Sequence, residues 1–421
     1  MKKFFKTAIA YLLCALMPLS LIACAEKPAA QTDGPTDAPT DKPTEPVTEA
    51  ATEAPVQTET EAVTEPPAPP EPEKVLLYQL APEANSLMMS YVIVTPNKKI
   101  VVFDGGIDGT GLDAKPYLHN AIRAILGLGE TDYFEVEAWF LTHIHRDHYY
   151  ELAKMMAAYN AESNYKINNF YFDFPEIGVE WDSAAGASDT DMTYVARLKA
   201  AFDNYYSVAG FSGIKGADIP EDKYQKPEGA ENYYYDLING AVINEESVEK
   251  GLVISVDGVD FRVFMTWWKE AKLVNSTSII TRMTFGDHSV LFLGDAASDS
   301  GKRLLQLYSA DELKSEYVQM GHHGQGGPDK DFYDAIDAKN SIRLWPTPVW
   351  VWSNHQTYEI GATRSWLDLP VDANDFKRQG YLKTGKDFIA GVTSRYPNQG
   401  FKFEKWTQKV LDSQLVATLE K

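Results

Sequence analysis

Cysteine is almost missing from this chain. Only two of its 421 residues are Cys, at positions 14 and 24. Everything after residue 24 can therefore hold neither an intramolecular disulfide framework nor a thiolate metal site, and any metal bound there must be held by His, Asp, Glu or neutral oxygen donors. Positive charge is scarce too: 39 Lys+Arg stand against 60 Asp+Glu, a net charge of −21. Wrapping nucleic acid takes clustered Lys and Arg, so bulk electrostatics speaks against that partner, while a local basic patch stays open.

These shortages are unevenly distributed. Lys2, Lys3 and Lys6 precede an apolar run from Thr7 to Leu21, the charged and hydrophobic regions of an export signal. The run is too short for a comfortable membrane span. Leu21-Ile22-Ala23-Cys24 resembles a bacterial lipobox, which implies a signal peptide over residues 1–23, a lipidated Cys24, and a mature protein outside the cytoplasm, anchored to the bacterial cell membrane. Cys14 lacks a small residue before it and reads as filler. Residues 25–73 contain no aromatic residue, hold 11 of the 23 prolines, and carry 12 acids against two lysines. Such a stretch cannot bury enough apolar surface to offset its chain entropy, so a disordered, self-repelling tether is expected. The charge then divides as +3 for residues 1–24, −10 for 25–73 and −14 for 74–421.

From Lys74 onward the chain is aromatic-rich and turn-punctuated, long enough for a large core. Strands are expected at 75–79, 87–95, 98–103, 136–142 and 167–174, with helices at 115–126, 151–159 and around 192–206. Residues 207–250 have no clear periodicity and read as an insertion. Two hairpins follow, at 252–266 around Asp257-Gly258 and at 278–293 around Gly286-Asp287. A helix at 302–308, a strand at 317–320, a helix at 331–336 and a strand at 349–352 complete an alternating pattern, which argues for α/β layers in one domain spanning 74–421.

The chemistry gathers at Thr142-His143-Ile144-His145-Arg146-Asp147-His148. Three of the eight histidines fall in this window, with an Asp between them. If a strand ends near Thr142, His143 and His145 project to one side and present two imidazoles to one cation. Asp147 and His148, at the turn into the next helix, are offset enough to serve a second. Two N/O-bound ions need about seven protein ligands in all, so at least three more must come from elsewhere. His119 lies mid-helix, where a packing or surface role is expected, and His288 sits in a solvated hairpin turn. That leaves His322 or His323, directly after a strand, and His355 in a later loop.

The H-x-H-x-D-H at 143–148 resembles that of the metallo-β-lactamase superfamily. Val101 to Gly106 is similar to the family's early strand ending in an Asp, here Asp104, that supports the ligands from behind. Leu291 to Asp295 resembles its Gly-Asp strand, whose carboxylate bridges both metals. Asn275 to Ser278 and the Gly-His-His-Gly at 321–324 are similar to the subgroup with competence-type DNA-uptake nuclease domains and phosphorylcholine esterases. The resemblance implies a four-layer αββα sandwich. It also implies His143, His145 and one of His322/His323 on the first metal, Asp147, His148 and His355 on the second, and Asp295 between them. Zn is favoured, with Mn or Fe compatible with an all N/O set. A hydroxide bridging the two metals would attack a phosphodiester, with Asp147 and Asp295 as the catalytic carboxylates and Asn275, Ser278 and Tyr149 as substrate contacts. The expected substrate is a cell-envelope polymer or nucleic acid, and no protein partner is expected. The alternatives are a phosphorylcholine esterase, a lactone or amide hydrolase, or a non-catalytic lipoprotein that binds solute or organises the envelope.

Overall fold

The computed structural model describes residues 73–82, 87–107, 117–174, 189–209, 243, 245–268, 270–271, 273–324, 327–346, 387–390 and 405–421. The signal and tether regions with Cys24, nearly all of the expected insertion, the strand expected at 349–352 and His355 lie outside them.

Two seven-stranded sheets make up the body. The first contains β1 (Lys74–Gln79), β2 (Tyr91–Val94), β3 (Ile100–Phe103), β4 (Phe134–Phe140), β5 (Tyr165–Ile167), β6 (Phe170–Tyr171) and β14 (Leu415–Glu420). Its order is β14-β1-β2-β3-β4-β5, with β6 also paired to β4. The second contains β7 (Val253–Val256), β8 (Val259–Met265), β9 (Ile280–Phe285), β10 (His288–Phe292), β11 (Tyr317–Gln319), β12 (Ile342–Leu344) and β13 (Asp387–Phe388), ordered from β13 back to β7. Each sheet is antiparallel on one side and parallel on the other. The antiparallel-to-parallel switch falls at β3–β4 in the first sheet and at β10–β11 in the second. In open α/β sheets, ligands gather beyond the carboxyl ends of the strands.

Alternation along the strands puts one face of each sheet against its partner and the other against helices. On β10, Val290 and Phe292 join the large core while Leu291 joins the smaller cluster under the helices. The ring of Phe103 stacks on Phe292 at 4.2 Å and on Phe140 at 4.5 Å, clamping the strand ends together. On the first sheet's side lie α1 (Tyr117–Leu126), α2 (Arg146–Ala157) and α3 (Asp189–Ala209). After α4 (Glu245–Glu249), the second sheet is covered by α5 (Ser298–Leu307), α6 (Ala310–Leu313) and α7 (Lys330–Ala335). A short α8 (Gln408–Asp412) leads into β14. The architecture is the αββα sandwich expected from the motifs. Among the described residues, no helix is long and apolar enough to cross a membrane.

Three local differences matter. α2 begins at Arg146, not Glu151, so Asp147 and His148 sit in its first turn, where the helix dipole favours a carboxylate. In place of the strand expected at 167–174 stand the shorter β5 and β6, both parallel to β4, with Asn168 and Asn169 between them also bonded to the β4 backbone. The C-terminal strand β14, not anticipated, pairs antiparallel with β1. Phe103 is 1 % exposed at the centre of this packing; Phe103→Ala is expected to destabilise the protein by about 3–5 kcal/mol, read as a lower midpoint in urea unfolding.

Candidate metal centre

Four strand ends deliver the site. β3 runs into Asp104, β4 into Thr142 and His143, β10 into Gly294 and Asp295, and β11 into the Gly-His-His-Gly turn. The two sheets are joined here by the Ile279 N–H, which donates to the Thr142 carbonyl at 2.9 Å. Gly294 has a φ of +53° and faces Thr142, whose Cβ would lie 2.9 Å from any Cβ added at Gly294, so no side chain fits there.

Asp104 is buried and fully used. Its Oδ1 accepts from the Thr142 N–H at 2.7 Å, and its Oδ2 accepts from the Thr142 hydroxyl at 2.8 Å and from His148 Nδ1 at 2.7 Å. A carboxylate on Nδ1 fixes the ring and leaves Nε2 to act as a ligand. Thr142 Oγ1 also lies 3.2 Å from His143 Nδ1, and Ser278 Oγ lies 3.4 Å from it. His143 Nε2 is thereby aimed at His145 Nδ1, 3.1 Å away.

Two donor sets result: His143, His145 and Asp295 form one, and Asp147, His148, Asp295 and His323 the other. Donors on a tetrahedral zinc, with bonds of ~2.0–2.1 Å, sit roughly 3.3 Å apart. Here His143 and His145 are 3.1 Å apart, His148 Nε2 and Asp295 Oδ2 are 3.2 Å, and His323 Nε2 and Asp147 Oδ2 are 3.4 Å. Moreover, His148 Nε2, Asp295 Oδ1 and both ring nitrogens of His323 are buried without a hydrogen-bond partner. Orphaned buried donors are rare and cost about 1–3 kcal/mol each. Their convergence on one carboxylate fits two divalent cations that share Asp295.

The electrostatics agree for His143 and the two carboxylates, while at His148 burial is outweighed by Asp295 and Asp104, which push it well above the usual histidine range, so a cation there would displace its proton. Burial, reinforced by charge on His148 and His145, pushes His143 well below the usual histidine range and keeps it a neutral donor. Burial would raise Asp147 and Asp295, but His323 and His148 outweigh it for Asp147, and His148 and His322 outweigh it for Asp295; both stay anionic. The backbone is strained at the same place. Asp104, His322 and His323 have φ of 58°, 51° and 53°, a left-handed conformation that non-glycine residues hold only when their surroundings impose it.

That conformation separates the paired histidines. His323 is turned inward to Asp147 and His148, not to His143 and His145, so it stands with the set expected to use His355. His322 is turned to the rim, 27 % exposed, with Nε2 3.8 Å from Asp295 Oδ2 and 3.3 Å from Asn275 Nδ2. Asn275 is where a substrate contact was expected, but two others are not. Ser278 is fully buried and accepts from the Asp295 N–H at 3.1 Å, so it positions the bridging carboxylate instead of meeting substrate. Tyr149 is 1 % exposed and packs in the core from α2, where it also borders a cleft lined by Ala153, Arg197 and Asn204. His119 packs against Phe134 and Tyr165 and contacts Asn164, as its place in a helix suggested, while His288, expected in a solvated turn, begins β10 and pairs with Glu316. Thr142, Ser278 as a positioning group and Gln319 were not picked out from the sequence. The available signal was a polar residue at an inward-facing strand end.

Asp104→Asn places an amide N–H where an acceptor is required, and the His148 ring loses its anchor. A weakening of about 10–100-fold in zinc affinity is expected, measured by competition with a chromogenic chelator; unchanged affinity would remove Asp104 from the support of the site.

Residues 89–343 match the sequence profile of the Metallo-beta-lactamase superfamily. No curated protein matches the sequence. Among solved structures, a variant of the CmlA beta-hydroxylase is 13 % identical with a TM-score of 0.35, covering 76 % of this chain and 52 % of its own. CmlA itself, a diiron beta-hydroxylase from Streptomyces venezuelae, is 11 % identical with a TM-score of 0.30, covering 64 % of this chain and 38 % of its own. The metallo-beta-lactamase fold protein YhfI from Bacillus subtilis is 14 % identical with a TM-score of 0.30, covering 65 % of this chain and 84 % of its own. The chain thus spans about half the length of the first of these relatives. With more than half of its residues under the family profile, the chain belongs to the metallo-β-lactamase superfamily.

Proposed function

We propose that this protein is a dinuclear metal-dependent hydrolase that cleaves phosphodiester bonds, with zinc as its metal. The observation that carries the reading is the single carboxylate of Asp295 shared by two His/Asp donor sets, with His145, Asp147 and His322 reaching the partly exposed rim. Two cations held there would supply Lewis acidity and a water that ionises near neutral pH. The chain's own groups do the rest. Asp147, kept anionic and 14 % exposed, is placed to orient the attacking water. His322 and Asn275, beside Asp295, offer N–H donors to the non-bridging oxygens of a phosphodiester, where charge builds up during displacement. Buried His143, His148 and His323 already point their rings into the site, and His148 would give up a proton as it takes a metal.

The test is metal analysis of the purified protein together with a substrate panel: a bis-aryl phosphodiester, an aryl phosphorylcholine, single-stranded DNA and a chromogenic lactam. Two zinc ions per chain and turnover of phosphodiesters are expected. Asp147→Ala and Asp295→Ala should each lose more than the ~10–100-fold that removal of an outer partner costs. Fewer than one metal per chain, or activity indifferent to both variants, would sink the hydrolase reading; turnover of the lactam alone would sink the phosphodiester preference, and selective turnover of the phosphorylcholine would assign the esterase.

We also propose that the hydrolase is anchored to the outside of the cell membrane through Cys24, on the support of the Leu21-Ile22-Ala23-Cys24 sequence and the acidic, proline-rich stretch behind it. Metabolic labelling with a fatty acid should mark the protein, and Cys24→Ala should abolish the label and move the protein from the membrane to the soluble fraction. Retention of label in that variant would refute the anchor.

A further inference from the structure

One buried amide beside the centre has no part in holding metal, yet it touches the backbone on both sides of it. Gln319 ends β11 and is 1 % exposed. Its strand neighbours divide by period two: Tyr317 belongs to the core between the sheets and Val318 to the cluster under the helices. Gln319 therefore points between the sheets, where an amide is costly unless its hydrogen bonds are made. They are made only to backbone. Oε1 accepts from the Leu293 N–H at 2.7 Å, and Nε2 donates to the Gly294 carbonyl at 2.8 Å and to the Met320 carbonyl at 2.7 Å.

Those three peptide groups flank the two metal-bearing turns. The parallel pairing of β10 with β11 ends at Leu291 opposite Val318. Beyond that point the Gln319 side chain stands in for a peptide and carries the ladder two residues further. The Gly294 carbonyl also accepts from the His322 N–H at 3.2 Å. Asp295 follows Gly294 directly, and His323 follows Met320 by three residues. The separation of the Asp295 carboxylate from the His323 ring, 4.0 Å between Oδ1 and Nε2, thus depends on the two turns that Gln319 ties together. His143 and His145 both come from the end of β4 and touch Gln319 through no such bond.

We propose that Gln319 is a positioning residue that sets Asp295 against His323 and so assembles the second donor set, Asp147, His148, Asp295 and His323, of whose four donors it positions two, against one of the three in the first set. The inference rests on the dinuclear reading above. It predicts an asymmetric defect: without the clamp the first cation still binds, through His143, His145 and a displaced Asp295, while the second is weakened by about 10–100-fold.

The experiment titrates zinc and cobalt into metal-free wild type, Gln319→Leu, and Gln414→Leu as a control. Gln414 is also buried and also bonded to backbone, at Ala81 and Val410, but it holds β1 to the C-terminal segment. Gln319→Leu should retain one site within about threefold of wild type, lose affinity at the other by the factor given, and show a cobalt absorption band altered at the second equivalent only. Gln414→Leu should lower unfolding stability and leave both sites intact. If Gln319→Leu does not fold, Gln319→Met, closer in length and equally without an amide, carries the same expectation, and retention of the first site certifies that the variant is folded. Two unaltered sites in the folded variant would overturn the proposal, as would equal weakening of both. Wild type that binds fewer than two ions would overturn the dinuclear reading itself, a different result from two ions in wild type and two in the variant.

Discussion

The stacking of Phe103 on Phe292, 4.2 Å between ring centroids, fixes the distance between the two sheets at the point where both run out. Asp104 follows the first ring by one residue and Asp295 follows the second by three. Each donor set draws on both sheets: His143, His145, Asp147 and His148 follow β4, while Asp295 and His323 follow strands of the other sheet. The centre is therefore a property of the sandwich, and the apolar contact that closes the sandwich is also what sets its geometry. Non-directional burial supplies the force, and the rigidity of close-packed aromatic rings converts it into position.

Assembling such a site carries local costs. Three non-glycine residues in left-handed backbone conformation cost roughly 1–3 kcal/mol each, and the nitrogens and oxygen of His148, His323 and Asp295 add desolvation that no hydrogen bond offsets. The protein concentrates these costs in a few residues and surrounds them with groups that are fully satisfied. Asp104 has every oxygen occupied, Thr142 serves three partners, Ser278 supports the bridging carboxylate, and Gln319 uses both of its amide hydrogens. Satisfied polar groups hold still, and what they hold still is a set of donors gathered around Asp295.

Much of this was legible in the chain. His143, His145, Asp147 and His148 lie within six residues, so local geometry alone makes them neighbours. The strands before Asp104, Thr142 and Asp295 are short apolar runs with turn residues after them, and the structure places them much as read. Where reading by sequence stopped, the deciding physics was either long-range or conformational. The pairing of β14 with β1 joins segments separated by most of the domain, which no periodicity reveals. Ser278 and Tyr149 were read as facing substrate because of their neighbours in sequence, whereas burial is decided by what packs from other elements. Between His322 and His323, chemistry offered no choice at all; the two left-handed residues turn one ring inward and the other to the rim.

That last distinction gives the site its polarity. His143, His148, His323 and Asp295 are 0–1 % exposed, whereas Asp147 and His322 are 14 % and 27 % exposed. The floor of the site is a dry, rigid set of donors, in which charge is felt strongly because water does not screen it. Its rim is formed by Asp147 and His145, one from each donor set, and by His322 and the amide of Asn275, which belong to neither and are placed to meet a polar substrate. The hydrolysis proposed for this site needs both at once: a place where charge is concentrated and a place where water and a leaving group can come and go. The division of labour follows from the fold, since the strands end below and only the turns beyond them reach solvent.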